Sequence, residues 1–239
     1  MMKPYTEIKK DITWLVPPGA LKLYMEEVHV WRASLNLTET DAGRMQHILS
    51  PEEKERSERF HFQKDRDHFI ASRGLLRMML SRYLGMEPYA LRFCTGTQGK
   101  PSLLKEIGGK EIRFSVSHSR DLALFAFTRH MEIGVDLEYI RHDFSTESIP
   151  EQVFSQNEFD VLNELPLHER QKKFFSIWVR KEALLKALGT GLSHNMNQYD
   201  VISDQANPSW SLRNIDAADD YAGAIAVMGH NWKLTCFQY

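Results

Sequence analysis

A capping box followed by a long, apolar-striped helix occurs twice in this chain, and no other feature constrains the fold as much. The first box is "SPEE": Ser50 caps, Pro51 takes the first turn and Glu53 closes the reciprocal bond. The second is "SQNE", from Ser155 to Glu158. After the first comes "KDRDHFIASRGLLRMMLSRYLG", where Phe69, Ile70, Leu76, Met79, Leu80 and Tyr83 recur near helical spacing and Gly85 marks the stop. After the second comes "KKFFSIWVRKEALLKALG", with an apolar stripe through Phe174, Ile177, Trp178, Leu184, Leu185 and Leu188. Strand-like stretches follow each long helix. The first set is "LRFCT" and a hairpin of "IRFSVSHS" and "LALFAFT" around Arg120-Asp121; the second is "YAGAIAVMG" and "WKLTCFQY". "EVHVWRASL" alternates like a strand before the first box, after an extended lead-in of about twenty residues. Phe69–Arg77 laid over Trp178–Lys186 matches an aromatic, a Leu-Leu pair and a terminal base. This order predicts an internal duplication, with halves 1–130 and 131–239 and a site between them.

Cys94 and Cys236 make neither a disulfide framework nor a zinc spacing. The start, "MMKPYTEIKKDITW", has no apolar signal-peptide core, and runs such as "LALFAF" are too short to span a bilayer. A cytoplasmic protein with no membrane partner is expected. A net charge of −2 and a pI of about 6.6 provide no overall basic field, so no nucleic-acid partner is expected either.

Two anomalies carry chemistry. In "HMEIGVDLEYIR" the period-2 pattern points Asp136 and Glu138 out of one face of a strand, although adjacent like charges repel. On the second long helix Lys181 falls in the gap of the apolar stripe, and Glu182 sits one turn from Lys186. A buried ammonium there needs a partner. Glu182–Lys186 alone also suits a solvated helical pair, and Asp136 and Glu138 alone also suit separate surface pairs with arginines such as Arg141. If strand and helix pack together, three carboxylates converge. Each pair at ~4 Å would then repel by about 4 kcal/mol at an effective dielectric near 20, which calls for a cation. An all-oxygen cluster suits Mg²⁺ shared with substrate phosphates. "TGTQGKPS" offers Lys100 in a glycine-flanked loop, "SVSHS" offers His118 between serines, and Arg66, Arg73 and Arg77 share a helix face.

"QGKP", "FSVSHS", "IGVDLE" and "WVRKEALLK" occur in the order GKP, SHS, [IV]-G-[IV]-D-x-E, W-x-x-K-E-x-x-x-K. This set, over about Ser50 to Leu192, resembles the signatures of the surfactin-type 4′-phosphopantetheinyl transferases. The resemblance implies an α+β fold of two similar α/β halves related by a pseudo-two-fold, with the active site between them. It implies transfer of the phosphopantetheine arm of coenzyme A to a serine of an apo acyl, peptidyl or aryl carrier protein, releasing 3′,5′-ADP. Asp136, Glu138 and Glu182 would bind Mg²⁺, with Mn²⁺ able to substitute. Arg73, Lys100, Ser117, His118 and Lys181 would bind coenzyme A. Glu182 or Glu158 would act as base, and Lys186 would contact phosphate or brace Glu182. The carrier would dock near Phe144, Ile149, Val153 and Phe154, on a monomeric enzyme. Competing readings are a Mg²⁺-dependent nuclease, disfavoured by the lack of E-x-K on the acidic strand, and an inactive relative that only binds carriers.

Overall fold

Both capping boxes form, and each launches a short helix that leads into a long one. The computed structural model describes residues 12–96, 99–107, 111–141, 153–191, 196–203 and 208–239. The helices are α1 (Glu39–Ile48), α2 (Pro51–Glu58), α3 (Gln63–Leu84), α4 (Gln156–Glu164) and α5 (Leu167–Leu188). At α2 and α4 the Ser50 and Ser155 hydroxyls accept from the third-residue N–H, and Glu53 and Glu158 accept from the cap N–H. Gly85 and Gly189 end the two long helices in the left-handed region, at φ 63° and 70°, where a side chain would be strained.

The strands are β1 (Trp14–Leu15), β2 (Glu27–Ser34), β3 (Phe93–Thr95), β4 (Pro101–Leu103), β5 (Ile112–Ser119), β6 (Leu122–Arg129), β7 (Ile133–Tyr139), β8 (Trp210–Asn214), β9 (Tyr221–Met228) and β10 (Lys233–Gln238). They form a five-stranded sheet in the order β1-β10-β2-β6-β5, a three-stranded sheet β7-β9-β8 and the small pair β3-β4. The α+β class is as expected. The expected cut at 130/131 falls between β6 and β7, yet β10, assigned by sequence to the second half, lies parallel between β1 and β2 in the first sheet.

Alternation along the strands sorts the core into layers. Trp31, Phe125 and Phe127 face α3, together with Leu75, Met79 and Leu80. Val28, Val30, Leu124 and Ala126, one residue out of phase, face Ile133, Val135, Leu137 and Ile225 of the second sheet. Ala224 and Ala226 of β9 turn the other way, onto Ala183 and Leu184 of α5. The long helices are therefore outer layers and the sheets are inner ones.

The two sheets adjoin at β5 and β7 through side chains. The N–H groups of Val135, Leu137 and Tyr139 donate to the hydroxyls of Ser115, Ser117 and Ser119, at 3.1, 3.3 and 3.0 Å. The "SVSHS" alternation thus satisfies amides that a sheet edge would leave without partners.

Candidate active site

β7 and α5 approach unusually closely because residue 134 has no side chain. A Cβ at Gly134 would lie 1.9 Å from the Ala183 carbonyl oxygen and 2.5 Å from the Ala187 nitrogen. Glycine here is a matter of space: α5 lies directly on the strand backbone. The face of β7 that carries Gly134, Asp136 and Glu138 is therefore set against the helix that carries Glu182 and Lys186.

The Lys186 ammonium donates to Asp136 Oδ1 at 2.7 Å and to Ser117 Oγ at 3.0 Å, while Ser117 Oγ also donates to Asp136 Oδ1 at 2.8 Å. Ser119 Oγ donates to Glu138 Oε2 at 3.0 Å. Two carboxylate oxygens in the cluster, Asp136 Oδ2 and Glu182 Oε1, are buried with no hydrogen-bond partner. Burial, then the negative charge of Asp136, pushes the Glu182 carboxyl up to about 7; Lys186 opposes this and Glu138 adds to it. Glu138 is raised as well, by burial first and Asp136 second. The charges of Asp136, Glu138 and Glu182 thus act on one another.

A ready-made three-carboxylate cage is not present. Among the described residues no group of three or more His, Cys, Asp or Glu side chains is arranged to hold a metal ion by itself. Lys186 instead takes one oxygen of Asp136, and Ser119 one of Glu138. The residues still fit a divalent cation, because buried carboxylate oxygens without donors are costly and Mg²⁺ retains waters and shares substrate oxygens.

Other expected site residues are placed differently. Lys181 was expected to reach phosphate, but its ammonium pairs with Glu158 Oε2 at 2.6 Å, both side chains being inaccessible, and donates to the Tyr199 carbonyl. Glu158 cannot serve as base for the same reason: it also holds the N–H groups of Ser155 and Val201, at 2.8 Å each. The first half repeats this device, since Glu53 receives Arg77 at 2.7 Å and Arg73 at 3.4 Å. Arg66 likewise donates to carbonyls of α2. The arginine face of α3 therefore braces α2, and Arg73, stacked over Phe93, is tied into that brace. The partner of Lys181 was legible in principle. A capping-box glutamate lies 23 residues before Lys181, as Glu53 lies 24 before Arg77.

Ser117 is buried and occupied by β7, so it is a joint of the seam with no free group for ligand. His118 lies on the opposite face and is exposed at its rim, while burial of the ring first, and then His68 and Lys186, lower its pKa. Lys100 donates to the Ile133 carbonyl at the head of β7, at 2.9 Å. Burial lowers its pKa, Glu132 opposing this and Arg113 and then Lys186 adding to it. Of the expected docking residues, Phe154 is core, 5.3 Å from the Phe174 ring, and Val153 packs on the same cluster. Phe144 and Ile149 lie outside the described residues. Sequence reasoning did not single out Ser119 or Gly134; the signal was their place in the alternation of β5 and β7.

A D-x-E strand locked against a K-E-x-x-x-K helix defines an enzyme class, and two family profiles agree with it. Residues 33–130 match the 4′-phosphopantetheinyl transferase N-terminal family, and residues 132–233 match the 4′-phosphopantetheinyl transferase superfamily. This chain belongs to the 4′-phosphopantetheinyl transferase family. It is 36% identical to the 4′-phosphopantetheinyl transferase HetI of Nostoc sp. over 234 residues, 95% of this chain and 98% of that protein. It is 28% identical to the 4′-phosphopantetheinyl transferase Sfp of Bacillus subtilis over 69% of this chain and 71% of that one. The human L-aminoadipate-semialdehyde dehydrogenase-phosphopantetheinyl transferase matches at 28% over 63% of this chain and 51% of its own length. A solved Chronobacterium ammoniagenes ACPS–CoA complex covers 42% of this chain at 22% identity and a TM-score of 0.32. The family match thus reaches beyond Ser50–Leu192 in both directions.

Proposed function

We propose that this enzyme transfers the 4′-phosphopantetheine arm of coenzyme A to a serine of an apo-carrier protein, with Mg²⁺ or Mn²⁺ held by Asp136, Glu138 and Glu182. The observation that carries this reading is the packing of α5 onto β7 at Gly134, which brings those residues and Lys186 together. A divalent ion bound there neutralises charge on the pyrophosphate and on the leaving phosphate. In the transfer, the serine Oγ forms a bond to the phosphorus bearing the pantetheine arm, the P–O bond to the nucleotide breaks, and 3′,5′-ADP departs.

The protein's own groups do the rest. Glu182, a carboxylate set beside Asp136 and Lys186, is the base for the serine proton. Lys186 holds Asp136 in place and presents a positive charge to the phosphates, beside Lys100. His118, exposed near the end of β5, is the residue we assign to the nucleotide end of coenzyme A. Phe144 and Ile149 are the remaining candidates for carrier docking on a monomer acting in the cytoplasm. No described helix is long and apolar enough to cross a membrane.

The test is mass spectrometry of a panel of apo-acyl, peptidyl and aryl carrier proteins incubated with the enzyme, coenzyme A and Mg²⁺. Gain of the phosphopantetheine mass on the carrier serine, with stoichiometric 3′,5′-ADP, is expected. Carrier binding without mass gain points to an inactive relative, and nicking of plasmid DNA in a parallel incubation, with no 3′,5′-ADP from coenzyme A, to a nuclease.

A further inference from the structure

The serine seam has a register that gives its three hydroxyls different duties. Each one accepts from an N–H of β7 twenty positions on, at Val135, Leu137 and Tyr139. Each also faces the β7 residue nineteen positions on: Gly134 for Ser115, Asp136 for Ser117 and Glu138 for Ser119. Ser115 meets no carboxylate because residue 134 is glycine. Ser117 shares Asp136 with Lys186, so that carboxylate has a second donor. The geometry points to Ser119 as the positioning residue that orients Glu138 for the divalent cation, an inference that rests on the metal-dependent reading above.

Among the hydrogen bonds of the cluster, Ser119 Oγ supplies the donor to Glu138, at Oε2 and 3.0 Å. The Tyr139 N–H occupies a lone pair of that oxygen at 3.0 Å and leaves the hydroxyl proton available to the carboxylate. One oxygen of Glu138 is thereby engaged, with the Arg141 charge also acting on the carboxylate. Groups that orient a metal-binding carboxylate typically change affinity or activity by about 10–100-fold when removed.

Ser115 is the built-in control, because it makes the same backbone bond and touches no acid. The full chain is prepared as wild type, Ser119→Ala, Ser119→Thr and Ser115→Ala. Mn²⁺ binding in the presence of coenzyme A is followed by the electron paramagnetic resonance of the free ion, beside melting temperature and steady-state kinetics. Both alanine variants should lower the melting temperature by similar amounts. Ser119→Ala alone should weaken Mn²⁺ about tenfold or more, raise the Mg²⁺ needed for half-maximal rate in parallel and leave the KM for carrier protein unchanged. Ser119→Thr, which keeps the hydroxyl, should restore Mn²⁺ affinity. If Ser119→Ala does not fold, Ser119→Cys, with its weak donor, makes the same comparison. Equal Mn²⁺ affinity in both alanine variants, whether weakened or intact, overturns the assignment and leaves Ser119 a seam residue. A wild type that modifies carriers with no Mn²⁺ or Mg²⁺ requirement overturns the metal-dependent reading itself, and the inference with it.

Discussion

Replacing Gly134 with alanine should separate the strand and helix that make up the site. Ordinary van der Waals contact for a Cβ begins near 3.4 Å, whereas this one would sit 1.9 Å from the Ala183 carbonyl oxygen. That oxygen belongs to a helix backbone and has no rotamer to change, so α5 must retreat by roughly 1.5 Å or tilt about the contact. The same displacement applied to Lys186 would take its ammonium from 2.7 Å to beyond hydrogen-bonding range of Asp136. Overpacking a well-filled core costs about 1–3 kcal/mol, and a misplacement of about 1 Å in a catalytic constellation costs about 100-fold in rate. For a chain of this length each kcal/mol moves the melting temperature by about 2–4 °C. Gly134→Ala should therefore melt some 2–12 °C lower and lose about two orders of magnitude in kcat/KM. Phosphopantetheine transfer followed by carrier mass, beside thermal unfolding by circular dichroism, measures both. Gly43→Ala is the control: that glycine lies in α1, its Cβ would meet nothing within 4 Å, and helix propensity alone should stabilise it by up to about 1 kcal/mol. A Gly134→Ala enzyme with wild-type rate and melting temperature would refute the close-approach argument.

Three further outcomes follow from the charges. Glu182 has a folded-state pKa of about 7 against an ordinary 4.5, so the metal-free folded chain keeps a proton that the unfolded chain releases. Apo stability should be greatest below about pH 4.5 from this group and fall by about 3 kcal/mol as pH rises through 7; denaturant unfolding of Glu182→Gln should lack that fall, and an unchanged profile rejects it. Lys181→Met leaves Glu158 buried without its cation and should destabilise by about 3–5 kcal/mol, with Glu158→Gln/Lys181→Met recovering much of the loss and the KM for coenzyme A unaffected; a raised KM with normal stability would return Lys181 to the phosphates. Lys186→Ala removes the ammonium from Asp136, whose side chain is only 5% exposed, and should lower both kcat and the melting temperature; a drop in melting temperature with kcat intact would make the pair purely structural.

The features legible in the sequence were those set by local periodicity and capping. Ser50, Ser155, Gly85 and Gly189 act within one turn of their own helices, so their neighbours in sequence suffice to assign them. Asp136 and Glu138 share a face because strand alternation requires it, and Glu182 and Lys186 follow from helical spacing. What stayed hidden depends on pairings between distant elements. The Glu158–Lys181 pair consumed the lysine that sequence assigned to coenzyme A, because a residue aimed at the core side does not reveal which acid meets it there. Ser117 matches a ligand-binding motif, yet its burial against β7 is a consequence of two sheets adjoining at that strand. The position of β10 has no local signal, since nothing in "WKLTCFQY" distinguishes pairing with β2 from pairing with β9.

That last strand ties the protein's completion to the timing of its synthesis. β2 ends at Ser34 and β10 begins at Lys233, so about 200 residues must be added before the partner for that edge of β2 exists. At about 5–20 residues per second, a nascent chain carries the open edge for roughly 10–40 s. Val28, Val30, Trp31 and Ala33, all buried in the finished protein, lie along that edge strand. An exposed apolar edge invites pairing with another chain. The first half therefore keeps an unpaired β2 edge until β10 is made, and a chain that stops before Lys233 leaves that edge open to pairing with another chain.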